Sequence, residues 1–229
     1  MVYECYNLID QGGPLYVQEV VKINEAFFNL PEDKKKRILN SALKEFAENG
    51  YEQASTNQIV KQANIGKGML FYYFNNKKEL YQYLIEYSIE ITIRNYLNQL
   101  DSKEPDFIER LMQASRIKFE AYIEHPEVFS FLGSILLNHE LELPSHLKER
   151  MDELQALGFQ KLYDNVDTSL FQDDIDINKL YQLIRWSIEG FQNDLMNRLK
   201  GRKLTSIDFE PYFEEFYDYI KILKKSFYK

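Results

Sequence analysis

The stretch that decides the fold is 56-TNQIVKQANIGKGMLFYYF-74. It contains two short helical segments, from Thr56 to about Ala63 and from Lys67 to Phe74, joined by the tight turn Asn64-Ile65-Gly66. Asparagine tolerates the left-handed conformation that such a turn needs, and glycine adopts it without strain. The pattern predicts a helix-turn-helix, whose second helix fits the DNA major groove, about 12 Å wide.

The apolar side chains of this stretch divide into those that join the two helices and those that point outward. Ile59, Ala63, Ile65 and Leu70 are expected to hold the pair together. The residues expected to face partly outward are Lys67, Gly68, Met69, Phe71, Tyr72 and Tyr73. An alternative stays open, in which the aromatic residues 71–74 are core residues and Lys67 is an ordinary solvated lysine.

Helical periodicity extends along almost the whole chain, and no alternating strand pattern persists. The first long helix is expected to begin at Pro31 and to stop at Asn49-Gly50. Its inner face carries Ile38, Ala42 and Phe46. The remaining helices are expected at Lys77 to about Leu100, Asp106–His125, Pro126–Leu137, Ser145–Asn165, Asn178–Lys200 and Phe209–Phe227. The predicted fold class is all-α.

Charge is distributed unevenly along the sequence. The chain has a net charge of −8, yet residues 31–80 contain nine basic and six acidic side chains, which gives +3 there and −11 elsewhere. A locally basic module on an acidic body is compatible with DNA binding, because only the contacting face must meet phosphates. The basic run from Lys34 to Arg37 is expected to be mainly a solvated face.

Other function classes find little support in the composition. Cys5 is the only cysteine, which excludes an intramolecular disulfide and a cysteine metal cluster. His139-Glu140 and His146 lack the helical spacing of a metal site, and no phosphate loop or nucleophile elbow occurs. We therefore expect no enzyme activity, catalytic residue, metal or cofactor. Neither a membrane span nor a secretory signal is expected, and we predict a cytoplasmic protein.

The helix-turn-helix stretch and its surroundings resemble the tetracycline-repressor (TetR) family over roughly residues 34–94. The residues that carry the resemblance are Ala42, Phe46, Gly50, Tyr51, Thr56, Ile59, Ala63, Ile65, Gly68, Leu70, Tyr72, Phe74, Lys77 and Leu80. The resemblance implies an all-helical homodimeric regulator, with a small DNA-binding domain and a divergent ligand-binding domain. It also implies a double-stranded DNA operator and a small-molecule inducer as partners.

The resemblance further implies roles for individual residues in DNA binding. Thr56 is expected to cap the second helix and donate to a phosphate, and Asn57 to reach a base edge. Lys67 is expected to pair with guanine, and Gly68 and Met69 to face bases. The remaining expected contacts, to the sugar-phosphate backbone or a thymine methyl, involve Phe71, Tyr72, Tyr73 and Lys77.

Three positions depart from the family's usual pattern. Phe71 stands where tyrosine is frequent and therefore offers no hydroxyl. Tyr73 replaces a frequent histidine, and Asn64 replaces the usual turn glycine. These departures leave the fold intact but make the operator sequence unpredictable.

The predicted domains are an N-terminal extension at 1–30, partly helical or flexible, a helix-turn-helix domain at 31–80, and a helical ligand-binding and dimerisation domain at 81–229. The last two long helices are expected to pair with their copies in a homodimer. An apolar or aromatic inducer is expected to contact Arg116, Phe119, Tyr122, Phe159, Trp186 and Glu189. The alternatives are plain core packing at these positions and, for the chain as a whole, a helical interaction module without DNA binding.

Overall fold

The computed structural model describes residues 23–137, 143–199 and 207–229, so residues 1–22 of the predicted N-terminal extension and His139-Glu140 lie outside it. Within these ranges the regular elements are α-helices and two short 3-10 turns, besides one isolated β-bridge between Phe171 and Tyr228. The predicted all-α fold class is confirmed. Numbered α1 to α10 in chain order, the helices are Glu25–Phe28, Glu32–Gln53, Thr56–Ala63, Lys67–Phe74, Lys77–Asn95, Phe107–Glu124, Pro126–Leu137, Ser145–Tyr163, Ile177–Leu199 and Glu210–Phe227.

Local sequence explains where the first helices begin and end. Pro31 directly precedes α2, and two acidic residues occupy its first turn, where the helix dipole favours negative charge. Gly50 interrupts the helical backbone of α2 at φ 67°, a conformation that favours glycine. At the start of α5 the Asn76 side chain accepts from the Glu79 amide, and the Glu79 carboxylate accepts from Asn76. This reciprocal cap fixes the turn between α4 and α5.

One compact unit contains the described residues up to Arg94 together with His125–Gln155. Its core is built around α2, which packs against α3 and α7. The predicted inner face of α2 is confirmed, since Ile38, Ala42 and Phe46 are buried. The ring centroid of Phe46 lies 4.9 Å from that of Tyr81 on α5 and 6.3 Å from that of Phe131 on α7. This core supports the helix-turn-helix.

The second compact unit contains Asn95–Glu124 and Ala156–Lys229. Phe107, Leu180 and Phe216 are buried in its core, where α10 packs against α6 and α9. Arg110 is also buried, at 1% exposure, and donates from its guanidinium to the backbone carbonyls of Glu104 and Asp164, at 2.8 and 2.6 Å. Its hydrogen-bonding groups thus satisfy carbonyls that the end of α8 leaves without helical partners.

The helix that was expected from Lys77 to about Leu100 is shorter than predicted. It ends at Asn95, and a 3-10 turn follows over Leu97–Gln99. Both Leu97 and Leu100 are buried, and the tighter 3-10 winding places these residues, three apart, on the same side of the chain. Helical periodicity alone did not distinguish that turn from the helix before it.

Candidate nucleic-acid interface

The helix pair α3 and α4 is held by a small apolar contact and a rigid turn. Ile59 and Ala63 of α3 and Leu70 of α4 are buried to 1% exposure or less. Asn64 adopts the left-handed conformation, at φ 52° and ψ 52°, and the Ile65 amide donates to the carbonyl of Val60 at 3.0 Å. The turn chemistry predicted for Asn64 is therefore confirmed, and the two helices meet at a defined angle.

The start of α3 is anchored from inside the unit. Glu45 of α2 is buried, and its carboxylate accepts a hydrogen bond of 2.8 Å from the Ser55 amide. Ser55 occupies the N-cap position, and no side-chain capping bond is made there. Thr56 is the first helical residue, so the expectation that it caps α3 was wrong. The buried Glu45 carboxylate takes over part of the capping role, because it accepts from a backbone amide at the helix start.

The first half of α4 presents polar and apolar side chains to solvent. Lys67, Gly68 and Met69 are exposed, as is Tyr72 in the next turn, with 53% of its surface accessible. A Cβ added at Gly68 would meet no atom within 4 Å. Internal packing therefore gives no reason for the missing side chain at Gly68, and a partner could approach the backbone closely there. Asn57 of α3 is exposed as well.

The last two residues of α4 are turned into the protein. Tyr73 is 2% exposed and Phe74 is fully buried, while Phe71 is half-buried. The expectation that Tyr73 offers its hydroxyl to DNA was wrong, because the ring packs among other aromatic rings. The alternative of core packing is correct for Tyr73 and Phe74. An eight-residue helix that is apolar on nearly every side does not show from its sequence which aromatic residue turns inward.

The basic residues around the helix pair differ in how far they are already paired. Lys35 and Arg37 form ion pairs with Glu32 and Asp33, one turn earlier in α2. The Lys77 ammonium donates to the carbonyl of Glu52 at 3.1 Å and lies 4.9 Å from the centroid of the Tyr51 ring. Lys67 is exposed and forms no ion pair within the part of the chain that the structure describes. Its ammonium is therefore available to an acceptor on a partner.

The six residues expected to contact an inducer are not gathered in one enclosed site. Phe159 and Trp186 are 62% and 59% exposed, and Glu189 is exposed and pairs with Arg185 at 3.8 Å. The expectation of an interior pocket was wrong for these three, because periodicity identifies an apolar stripe without showing what covers it. Tyr122 is half-buried on α6.

Phe119 does border a small, partly open apolar cavity of the second unit. Its ring centroid lies 4.4 Å from that of Phe209 and 5.5 Å from that of Phe213. The cavity has a volume of about 30 Å³ and lies between α6, α9 and α10. Arg116 lies at the side of this cluster, where its guanidinium carbon is 5.1 Å from the centroid of Phe213 and its Nη2 is 2.5 Å from Glu210. Of the predicted inducer residues, Arg116 and Phe119 thus both contact Phe213.

Two further observations limit other functions. Within the described ranges, no group of three or more histidine, cysteine, aspartate or glutamate side chains is arranged to hold a metal ion. No helix in those ranges is long and apolar enough to cross a membrane.

Comparison with known proteins shows that the helix pair is similar to those of bacterial regulatory proteins. Residues 38–84 match the family model described as "Bacterial regulatory proteins, tetR family". The biofilm operon icaADBC HTH-type negative transcriptional regulator IcaR of Staphylococcus epidermidis is 26% identical over 181 residues, which are 73% of this chain and 94% of IcaR.

A second relative and one solved structure extend the comparison. The uncharacterized HTH-type transcriptional regulator YuxN of Bacillus subtilis is 30% identical over 117 residues, but the match spans 48% of this chain and only 39% of YuxN. The crystal structure of a TetR family transcriptional regulator from Chloroflexus aurantiacus has a TM-score of 0.70 and 24% identity, over 90% of this chain and 99% of that one. The fold therefore extends well beyond residues 38–84.

Proposed function

Because the chain belongs to the TetR family of bacterial transcriptional regulators, we propose that it is a repressor that binds a DNA operator through α3 and α4 and leaves it when a small apolar or aromatic molecule binds. The proposal assigns DNA binding to residues 31–80 and ligand binding and dimerisation to residues 81–229. A protein that acts on chromosomal DNA works in the cytoplasm, which is the location we propose. As a regulator, it needs neither a catalytic residue nor a cofactor.

The observation that carries the proposal is the solvent-exposed face of α4. Lys67, Met69 and Tyr72 point to solvent from a helix whose other side is fixed by Leu70 and Phe74. A lysine can donate to guanine acceptors, a methionine can contact a thymine methyl, and a tyrosine hydroxyl can bond a phosphate. We propose that Asn57, Gly68 and Phe71 complete this surface and that Thr56 and Lys77 contact the backbone.

A dimer is part of the proposal because a twofold operator needs two recognition helices about 34–36 Å apart. Four large apolar side chains are exposed on α9 and α10, at levels between 46% and 62%: Leu183, Trp186, Tyr219 and Ile222. Side chains three apart on a helix lie on the same face. We propose that this set, the outer apolar face, pairs with its copy in a second chain.

The inducer is proposed to bind the second unit at the cavity beside Phe119, with Arg116 near its edge. The cavity holds only about one or two water-sized groups. A larger molecule therefore requires that α6, α9 and α10 move apart. A ligand that binds only such an opened form shifts the population toward it, and release from DNA follows if that form fits the operator poorly.

The DNA-binding proposal is tested by selecting duplexes from a random-sequence pool with the wild-type chain and measuring affinity by fluorescence anisotropy at several salt concentrations. We expect salt-sensitive binding to the selected duplex. Replacement of Lys67 or Tyr72 by alanine should weaken this binding about tenfold or more, with an unchanged helical circular dichroism spectrum. Lys148→Ala, which removes another exposed lysine, should bind like the wild type.

Two results would count against the proposal. If the wild type enriches no duplex even at low salt, the chain is a helical interaction module. If Lys67→Ala binds as tightly as Lys148→Ala, α4 is not the surface that contacts bases.

A further inference from the structure

A short segment ahead of the helix-turn-helix packs directly on α4, the helix proposed to recognise DNA bases and called the recognition helix below. This segment, which we call the N-terminal clasp, comprises Ile23–Leu30 and includes α1. It lies outside residues 38–84, the part that matches the family model. Phe27 is its central side chain and is 1% exposed.

Phe27 packs against the inward half of α4. Its ring centroid lies 4.7 Å from that of Phe74 and 5.8 Å from that of Tyr73, the last two residues of α4. It also lies 5.9 Å from that of Tyr83 on α5. These rings meet at tilted or edge-on angles, an arrangement favoured by aromatic quadrupoles. A single side chain of the clasp therefore covers the inward aromatic residues of α4.

The clasp also forms a backbone hydrogen bond with α4. The Asn24 amide donates to the carbonyl of Tyr73 at 3.0 Å. Tyr73 lies in the last turn of α4, where carbonyls lack helical partners, and Asn75 leaves the helical conformation at φ 55°. The Asn24 side chain accepts from the Ala26 amide at 2.9 Å and so caps α1. One residue thus begins α1 and satisfies the end of α4.

The clasp is itself tied to the rest of its unit. The Lys35 ammonium of α2 donates to the carbonyl of Phe28 at 3.3 Å. Ile23 is buried, and the Leu30 amide donates to the carbonyl of Phe27 at 3.2 Å. The clasp therefore connects α2 to the C-terminal end of α4.

The recognition helix needs such support because it is short. Eight residues form too few helical hydrogen bonds to be stable alone, so packing must fix both the helix and its direction. Leu70 joins α4 to α3 on one side, and Phe27 covers Tyr73 and Phe74. Loss of the second contact would remove the cover on Tyr73 and leave Phe74 with its contact to Tyr83 of α5, at 5.6 Å between ring centroids.

We infer that the clasp positions the recognition helix for DNA sequence recognition, with Phe27 and the Asn24 amide as its positioning groups. This inference rests on the proposed function, because it needs α4 to be the helix that contacts bases. The clasp touches no base itself in this account. It acts by holding Lys67 and Met69 at the angle at which base edges can be reached.

Phe27→Ala tests the side-chain contact. We expect affinity for the duplex selected by the wild type to fall about tenfold or more, as expected if one good base contact is lost. Affinity for a scrambled duplex of the same composition should change little, because phosphate contacts tolerate a tilted helix. Phe27→Leu, which keeps an apolar side chain there, should recover most of the selectivity.

Phe28→Ala is the matched control. Phe28 is the next residue of α1, and its ring packs against those of Phe27 and Tyr83 rather than against Tyr73 or Phe74 of α4. The Phe28→Ala variant should retain the wild-type ratio of the affinity for the selected duplex to the affinity for the scrambled duplex. Equal losses in Phe27→Ala and Phe28→Ala would overturn the inference, because they would show a general loss of stability.

Asn24→Pro tests the backbone bond without removing an aromatic ring. Asn24 has φ −66°, which proline adopts without strain, but proline has no amide hydrogen to donate. Asn24→Ala keeps that hydrogen and loses only the side-chain cap. We expect the proline variant alone to lose selectivity and to show faster hydrogen exchange of the α4 amides.

The outcomes separate the inference from the proposed function. If the wild type selects no duplex, the proposed function fails. If it does, and Asn24→Pro keeps both the selectivity and the amide protection of Asn24→Ala, the clasp is not a positioning element. These two proline and alanine variants decide the matter even if Phe27→Ala does not fold.

Discussion

The recognition helix α4 and the helices α9 and α10 each carry apolar side chains on a second face besides the one buried in the core of their unit. In α4 the second apolar face is covered from within the chain, since Phe27 packs on Tyr73 and Phe74. On α9 and α10 the second face, with Trp186 and Ile222 among its members, is exposed. The difference teaches that the amino-acid composition of a helix does not show whether another part of the protein packs on its apolar face. We propose that the uncovered face of α9 and α10 is covered by a second copy of the chain.

The largest expected effect comes from charging the outer apolar face. Trp186→Glu combined with Ile222→Glu should convert the dimer to a monomer in analytical ultracentrifugation, because two carboxylates per chain cannot be buried unpaired. Affinity for a twofold duplex should then fall about 100-fold or more, because a monomer binds with a single helix-turn-helix and makes half of the phosphate and base contacts.

Phe159→Glu is the control for that experiment. It charges another exposed aromatic residue, on α8 rather than on the outer apolar face, and should leave the dimer intact. If the double variant remains a dimer, α9 and α10 do not form the interface, and the contrast with α4 disappears.

The next prediction separates the two neighbouring tyrosines of α4. Tyr73→Ala should lower the free energy of unfolding by about 3 kcal/mol, because it empties a packed aromatic site. Tyr72→Ala should change that free energy by less than about 0.5 kcal/mol, because its ring is exposed, yet it should weaken DNA binding. Urea denaturation and anisotropy on the same samples measure both quantities. Similar destabilisation by both changes would show that α4 is not divided into an outer and an inner half.

The smallest expected effect concerns α5, a helix covered on most of its sides. Burial raises the pKa of Glu90 to about 7, despite the opposing charges of Arg150 and Arg94. The folded chain therefore keeps a proton that the unfolded chain releases near pH 4.5, so the free energy of unfolding decreases as the pH rises from about 4.5 to about 7.

Glu90→Gln removes this titration. The variant should lose roughly 1–2 kcal/mol of the pH dependence between those values, an amount reduced by solvent screening of a half-buried group. Urea denaturation at pH 5 and pH 8 provides the measurement. Identical pH dependence in the variant and the wild type would mean that Glu90 is solvated like an ordinary surface carboxylate.

Much of the helix-turn-helix could be predicted from the sequence because its determinants are local. The bounds of α3 and α4 follow from Asn64 and Asn75, whose backbones adopt positive φ, and from the spacing of the buried apolar residues. The inward turn of Tyr73 could not be predicted, because it depends on Phe27, more than 40 residues earlier in the chain.

The second unit was less predictable for the same physical reason. Helical spacing located α6, α9 and α10, but Phe119 faces a cavity while Phe159 and Trp186 face solvent. Arg110 gave no signal in the sequence, since a lone arginine on a helix is usually solvated. Its burial depends on a carbonyl six residues earlier, at Glu104, and on one from a distant segment, at Asp164. Long-range packing decides such positions, and periodicity does not encode it.

The most direct test of the account is a disulfide cross-link between α4 and the major groove. In a Cys5→Ser background, Met69→Cys and Gln155→Cys place single thiols at two exposed positions of the same unit. Each is incubated with the selected duplex carrying a thiol tether at a major-groove thymine position. The account predicts a cross-link from Met69→Cys and none from Gln155→Cys. Equal cross-linking of the two variants, or cross-linking of Gln155→Cys alone, would contradict it.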